Sequence, residues 1–237
     1  MKLLYEGKAK QLFDTGNPEE VYVHYKNSAT AFNGVKKEEF DDKGKLNNAI
    51  TSLIFTYLAE QGIPTHFIKQ VNETDQVCRH VTIIPLEVIT RNIVAGSMAK
   101  KYGLEEGRQL AKPVFELSYK NDALGDPLIN DDHAVALELV TEAELAQIKD
   151  LTARINQALQ DLFLAANLIL VDFKIEFGKT SDGQIILADE ISPDTCRLWD
   201  MATHEKLDKD RFRRDLGNVE EAYQEVLKRL KAELNED

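Results

Sequence analysis

The residues best spaced for chemistry lie between Val171 and Ser192. From Val171 to Phe177 the chain alternates, so on a strand Val171, Phe173, Ile175 and Phe177 share one face and Asp172, Lys174 and Glu176 the other. Asp182-Gly183 is a strong hairpin signal, and residues 185–192 read as the returning strand. A two-residue loop pairs Ser181 with Gln184, which sets Glu176 opposite Asp189. Facing carboxylates repel each other unless a cation lies between them. Oxygen-only ligands suit magnesium better than zinc. Lys174, between Asp172 and Glu176, is placed to orient a carboxylate or meet a phosphate. The same charges also read as a solvated polar face with Lys174 balancing its neighbours. A loop one residue different turns Glu190 towards Glu176 in place of Asp189.

Three other groupings carry phosphate- or carboxylate-binding residue types. Gly7-Lys8-Ala9-Lys10 puts two lysines on one face of a strand beside a glycine, a pattern that can clamp a nucleotide's phosphates. It lacks the spacing of a Walker loop, and an edge strand with protective lysines is the competing reading. Arg91-Asn92 closes a strand and Ala95-Gly96-Ser97 opens a helix, so Arg91 and a capping Ser97 read either as an anion cradle or as plain capping. Arg197 falls in a turn after the acidic strand, where it either grips substrate or pairs with Asp194 and Asp200. The five histidines show no metal-ligand spacing, and Cys78 and Cys196 have no catalytic setting. Neither a serine nucleophile elbow nor a dinucleotide fingerprint is present.

Several elements must position these residues. Short strand patterns over residues 3–13 and 21–25 precede a helix over 44–61, whose apolar Leu46, Ile50, Leu53, Ile54 and Leu58 recur at helical spacing before Gly62 and Pro64. Strands follow over 65–71 and 77–91. A short helical pattern follows Ser97, and residues 117–132 read as loop. Thr141 with Glu144 forms a capping box for a long amphipathic helix, and a final helix starts near Asn218. Antiparallel hairpins mixed with helices indicate an α+β fold. A β-rich nucleotide-binding lobe over 1–88 and an α+β lobe over 89–237 with the metal and substrate site are expected, the boundary falling between residues 80 and 95.

Composition excludes several classes. The 237 residues are 43% hydrophobic and 30% charged, ordinary for a globular protein. A net charge of −12 argues against a nucleic-acid binder, which needs clustered lysine and arginine. Two cysteines and a first segment without an apolar stretch point to a reduced, cytoplasmic setting. No apolar run is long enough to span a membrane.

Taken together, these segments resemble the phosphoribosylaminoimidazole-succinocarboxamide synthase (SAICAR synthetase) family. The resemblance covers nearly the whole chain. It rests on residues 5–10, 91–97, 120–123, 170–178 and 189–194, with Arg197-Leu198-Trp199-Asp200 and residues 208–213 adding to it. It implies an ATP-dependent ligase of purine biosynthesis that joins L-aspartate to the carboxylate of carboxyaminoimidazole ribonucleotide, releasing ADP and phosphate, with Mg2+ as cofactor. It also implies a two-lobed fold of antiparallel sheets with flanking helices, related to ATP-grasp and kinase-like nucleotide binders, assembled as a homodimer or other homo-oligomer. By the resemblance, Lys8 and Lys10 hold ATP phosphates, and the strand around Ile83 offers backbone groups to adenine. Glu176 and Asp189 bind magnesium and, through it, ATP, while Arg91, Ser97 and Arg197 hold the ribonucleotide. Asp172 and Lys174 are the expected catalytic pair. Asn33-Gly34 stands where many members carry Asp-Gly, which puts any charge-dependent role there in doubt. A small-molecule kinase, which leaves a phosphorylated product, and a nucleotide-sensing module without turnover are the alternatives.

Overall fold

A computed structural model of the chain describes residues 1–31 and 34–236. Asn33 lies outside the described residues. The early alternating stretches form β1 (Leu3–Glu6), β2 (Lys10–Asp14), β3 (Glu20–Tyr25), β4 (Ser28–Ala31) and β5 (Lys36–Glu39). Helix α1 (Lys43–Glu60) follows, then β6 (Phe67–Gln70) and β7 (Asp75–Arg79). A five-stranded antiparallel sheet runs in the order β1-β2-β3-β7-β6, and β4 pairs β5 as a separate hairpin. Alternate residues of β3 set its covered face: Val21, Val23 and Tyr25 pack with Cys78, while Tyr22 and His24 bond to Asp75 on the other side.

The second sheet is built from β8 (Thr82–Ile83), β9 (Leu86–Ile93), β10 (Gln109–Tyr119), β11 (Leu128–Ile129), β12 (Leu168–Lys179), β13 (Ile185–Ala188) and β14 (Cys196–Asp200). Around it lie α2 (Gly96–Tyr102), α3 (Asp131–Ala136), α4 (Glu142–Ala165), α5 (Asp210–Arg213) and α6 (Val219–Leu234). Strand β12 is the spine, pairing antiparallel with β8, β9, β13 and β14.

The helices start where local signals place them. Thr141 Oγ1 accepts from the Glu144 N–H at 3.2 Å, and the Glu144 carboxylate accepts from the Thr141 N–H at 2.9 Å. The apolar stripe of α4, Ile50, Ile54, Phe55 and Leu58 of α1, and Ala222, Val226 and Leu230 of α6 share one core with Phe173, Ile175 and Phe177. Among the described residues no helix is long and apolar enough to cross a membrane.

Three expectations are corrected. The strand expected over 77–91 is cut into β7, β8 and the start of β9, the last cut falling at Pro85, which has no N–H to give a ladder. Residues 196–200 are strand β14, not a turn, and Arg197 lies in register opposite Asp172. Pairing of β12 with β14 slips between Leu170 and Asp172, leaving Val171 as a bulge residue. Val171 therefore packs with Ile93, Ala95 and Trp199, away from the core that receives Phe173, Ile175 and Phe177. Strand β10 was not anticipated at all, because its first half carries exposed Gln109, Ala111, Lys112 and Pro113 and lacks an apolar alternation.

Candidate active site

The acidic hairpin closes differently from the two-residue expectation. The Thr180 N–H donates to Gln184 O at 3.0 Å and the Gly183 N–H to Thr180 O at 2.9 Å, enclosing the three residues 181–183. A two-residue turn of the favoured type needs positive φ at both central positions, and of Asp182-Gly183 only Gly183 has it (φ +86°). Pairing is shifted by one residue, so Glu176 lies opposite Ala188. Asp189 still comes to the site, because its own backbone turns left-handed (φ +60°) where β13 ends. Lys10 Nζ lies 2.5 Å from Asp189 and 3.2 Å from Glu190, so the shifted register and this turn together bring both acids to one ammonium.

Lysines and buried acids alternate here, and their ionisation follows. Burial, then the charge of Asp189, pushes the Glu176 carboxyl up, and Lys120, at 2.5 Å, only partly offsets this. Burial also opposes ionisation of Asp189, but Lys10, then Lys120 and Lys174, outweigh it and hold that carboxyl at about 2. Lys10 is raised well above the usual lysine range: Asp189 and Glu190 overcome its own desolvation. Lys174 bonds to Glu87 of β9, and that acid, Glu176 and Asp189 together raise it against burial. His66 is buried, and desolvation, then Lys10, holds its imidazole down at about 4; its Nε2 is 3.1 Å from Asp189 O.

Lys8 and Lys10 do not share a strand face. Residues 7–9 form the turn from β1 to β2, with the Gly7 N–H on Lys10 O at 2.8 Å. Lys8 is exposed and bonds to Asp122 at 2.8 Å. Lys10 is enclosed, 5.3 Å from the centroid of the Tyr25 ring, so it is no protective edge lysine. Ile83 pairs with Gly178 of β12 and is partly exposed at the rim.

At the other end of the same β12 face, Asp172 is gripped by two arginines. Arg91 Nη1 donates to it at 3.2 Å and Arg197 Nη1 at 2.9 Å. Arg91 also bonds to Glu116 at 2.8 Å and Ser97 Oγ at 3.2 Å; Arg197 bonds to Asp210 at 2.9 Å. Ser97 does not cap α2. The cap position is Ala95, and Ser97 sits inside the first turn with its hydroxyl towards Arg91. Gly96 is required for the contact, since it has φ +54° and a Cβ there would lie 2.3 Å from Arg197 Nη2. Asp172, Lys174 and Glu176 thus form a polar row about 13 Å long at strand spacing, with guanidinium groups at one end and lysines with paired acids at the other.

The SAICAR synthetase family model matches residues 3–230. The chain belongs to the SAICAR synthetase family. A phosphoribosylaminoimidazole-succinocarboxamide synthase of Clostridium botulinum is 60% identical over 230 residues, covering 97% of this chain and 98% of that protein. The crystal structure of the enzyme of that name from Ehrlichia chaffeensis superposes with a TM-score of 0.95 at 46% identity, over 98% of this chain and 99% of that one. A SAICAR synthetase in complex with ADP has a TM-score of 0.94 at 44% identity, covering 98% of each chain.

In this SAICAR synthetase family member, Glu87, Glu116 and His66 carry no individual signal in the sequence and become partners of Lys174, Arg91 and Asp189 only through strand order and loop conformation. Glu190 and Asp210 lie in the 189–194 and 208–213 segments, but their pairing with Lys10 and Arg197 is set by the fold alone. Lys120 had one sequence signal, its place in the Lys120-Asn121-Asp122-Ala123 segment.

Proposed function

We propose that this site joins L-aspartate to the carboxylate of carboxyaminoimidazole ribonucleotide through an acyl phosphate, while ATP becomes ADP and phosphate. Family membership makes the chain an ATP-dependent, C–N bond-forming ligase of purine biosynthesis. The observation that supports the finer reading is the polar row on β12. It offers arginines for an anionic substrate at one end, lysines for phosphates at the other, and Lys174 between them.

Arg91, Ser97 and Arg197 bind the ribonucleotide, and Lys8, Lys10 and Lys120 meet ATP phosphates, with backbone near Ile83 beside adenine. A carboxylate is a poor electrophile, so its oxygen first takes the γ-phosphoryl group. Lys174 and the other lysines spread the charge of that transfer. The amine of aspartate then attacks the acyl carbon, phosphate leaves with the C–O bond pair, and the amine loses its proton. Asp172 holds both arginines in place, and most of the rate comes from positioning.

Glu176 and Asp189 fit a magnesium ion. Glu176 is buried and Asp189 half-buried; their charges oppose each other, and each is paired with a lysine. Among the described residues no group of three or more His, Cys, Asp or Glu forms a cage, and magnesium characteristically takes one or two carboxylates together with phosphate oxygens and water. When bound, the ion would screen the β- and γ-phosphate charges. The polypeptide acts in the cytoplasm as a homodimer or other homo-oligomer in this reading, with its nucleotide-binding lobe over 1–88 and its metal and substrate lobe over 89–237.

The test is ADP release with the carboxylated ribonucleotide, run with and without aspartate, with the product mass determined. Aspartate-dependent release with an amide product supports the ligase. A phosphorylated product would show a kinase, and ADP binding without turnover a nucleotide sensor.

A further inference from the structure

The segment between α1 and β6 runs beside β13 as a short parallel partner. The Leu187 N–H donates to Pro64 O at 2.9 Å, the His66 N–H donates to Leu187 O at 2.8 Å, and Thr65 is in parallel register with Leu187. The backbone ladder then stops: from Phe67 onward the chain pairs with β7, and Asp189 leaves the extended conformation at φ +60°. A side chain makes the next bond instead, with His66 Nε2 3.1 Å from Asp189 O. A carbonyl oxygen only accepts, so Nε2 carries the proton. The imidazole is itself held, 7% exposed and with its ring centroid 5.5 Å from that of Phe55.

Left-handed backbone is uncommon for a residue with a side chain. At Asp189 it has a specific consequence. Ala188 faces Glu176, so an extended continuation would bring Glu190 to that face and send Asp189 to the opposite one. The left-handed turn changes this: it delivers Asp189 to Lys10 and to the field of Glu176, while Glu190 stays 3.2 Å from the same lysine.

We propose that His66 is a positioning residue for Asp189, its Nε2–H holding the Asp189 peptide in the left-handed turn that aims the carboxylate at the cation and phosphate end of the site. This rests on the assignment of Asp189 to the divalent cation. His66 is buried behind the site, bonded to a backbone carbonyl. It acts through the backbone of the residue that binds the ion.

The experiment measures Mn2+ binding in the presence of ADP, reading free Mn2+ by electron paramagnetic resonance, for the full chain and its variants. His66→Leu keeps the bulk and removes the donor; its Mn2+ affinity should fall about tenfold, in the range seen when partners of metal ligands are lost. His66→Gln places an amide N–H where Nε2 was and should stay within about twofold of wild type, whereas His66→Asn, one methylene shorter, should bind as weakly as His66→Leu. Asp189→Asn should weaken binding at least as far as His66→Leu. Equal loss in His66→Gln and His66→Leu would overturn the proposal, as would wild-type affinity in His66→Leu while Asp189→Asn binds poorly. Unchanged affinity in Asp189→Asn would overturn the cation assignment itself. If His66→Leu does not fold, the comparison of Gln with Asn decides: similar affinities sink the proposal, and a tighter Gln variant supports it.

Discussion

Replacing Gly96 by alanine should disable the arginine end of the site through Arg197. Two costs arise. A residue with a side chain loses about 1–2 kcal/mol in the left-handed conformation that Gly96 adopts. The new Cβ would also lie 2.3 Å from Arg197 Nη2 and 2.5 Å from its Cζ. A free guanidinium would swing aside at little cost, but this one is anchored to Asp210 at 2.9 Å and Asp172 at 2.9 Å. Giving up a charge-assisted bond costs about 1.5–3 kcal/mol. Loss of the Asp172 bond alone therefore brings the total to roughly 2.5–5 kcal/mol. Urea unfolding measures this, and initial rates of ADP release report KM for the ribonucleotide. That KM should rise more than about tenfold, as a lost charged contact implies, while KM for ATP changes much less. Arg197→Ala removes the obstruction, so a double-mutant cycle with Gly96→Ala should show coupling of about 1.5–3 kcal/mol. Strictly additive penalties, or a Gly96→Ala chain within about 0.5 kcal/mol of wild type, would refute the reasoning.

Glu176→Gln and Asp189→Asn should each abolish turnover. Burial and the charge of Asp189 raise the Glu176 carboxyl, so its ionised form is a cost above its folded pKa, and Glu176→Gln should unfold in urea at neutral pH without metal no more than about 1 kcal/mol more easily than wild type; near-normal rates in both variants at limiting magnesium would sink the metal assignment. Lys43, 2.5 Å from buried Asp194, should cost about 1.5–3 kcal/mol in urea unfolding when changed to Met, because one charge-assisted bond is lost while the Tyr223 hydroxyl at 2.6 Å and Lys209 at 3.8 Å still partner the carboxylate; a loss below about 0.5 kcal/mol would contradict this. Glu106 is held down at about 2 by its bond from Arg214, then by Lys206, which outweigh desolvation. Its folded pKa lies below the unfolded one, so its contribution is present above the ordinary glutamate range and is lost as pH falls towards 2. After discounting for solvent, the stability gap between wild type and Glu106→Gln should be at most roughly 1 kcal/mol at neutral pH and should narrow by about pH 3.5 in urea titrations; a constant gap would count against it.

The longer helices α1, α4 and α6 were legible because their signals are local, whereas the short α3 and α5 were not. Thr141 and Glu144 announce α4 within one turn, and the spacing of Ile50, Ile54 and Leu58 needs no partner to be read. The hairpin was legible as a hairpin but not in its register, because Asp182-Gly183 serves a three-residue loop as readily as a two-residue one. The nearness of the two acids was reached through a wrong pairing: Asp189 arrives through its own left-handed turn, a conformation no nearby residue type demands. Lys10 with Asp189 and Lys174 with Glu87 are separated by 179 and 87 positions, and only the strand order brings them together. The Val171 bulge was invisible for the same reason, since it exists only against β14.

The common core under α1 and α6 bears on how the polypeptide is made. Its members run from Ala29 to Leu230, so the early helix leaves the ribosome with its apolar side bare. At about 5–20 residues per second, α6 follows roughly ten to thirty seconds later. For that interval the nascent chain is a natural client for chaperones that shield apolar surface, and its many distant contacts slow the closing of the core. Lys10 is made early and Asp189 comes 179 positions later, so a chain interrupted before residue 189 lacks this ion pair.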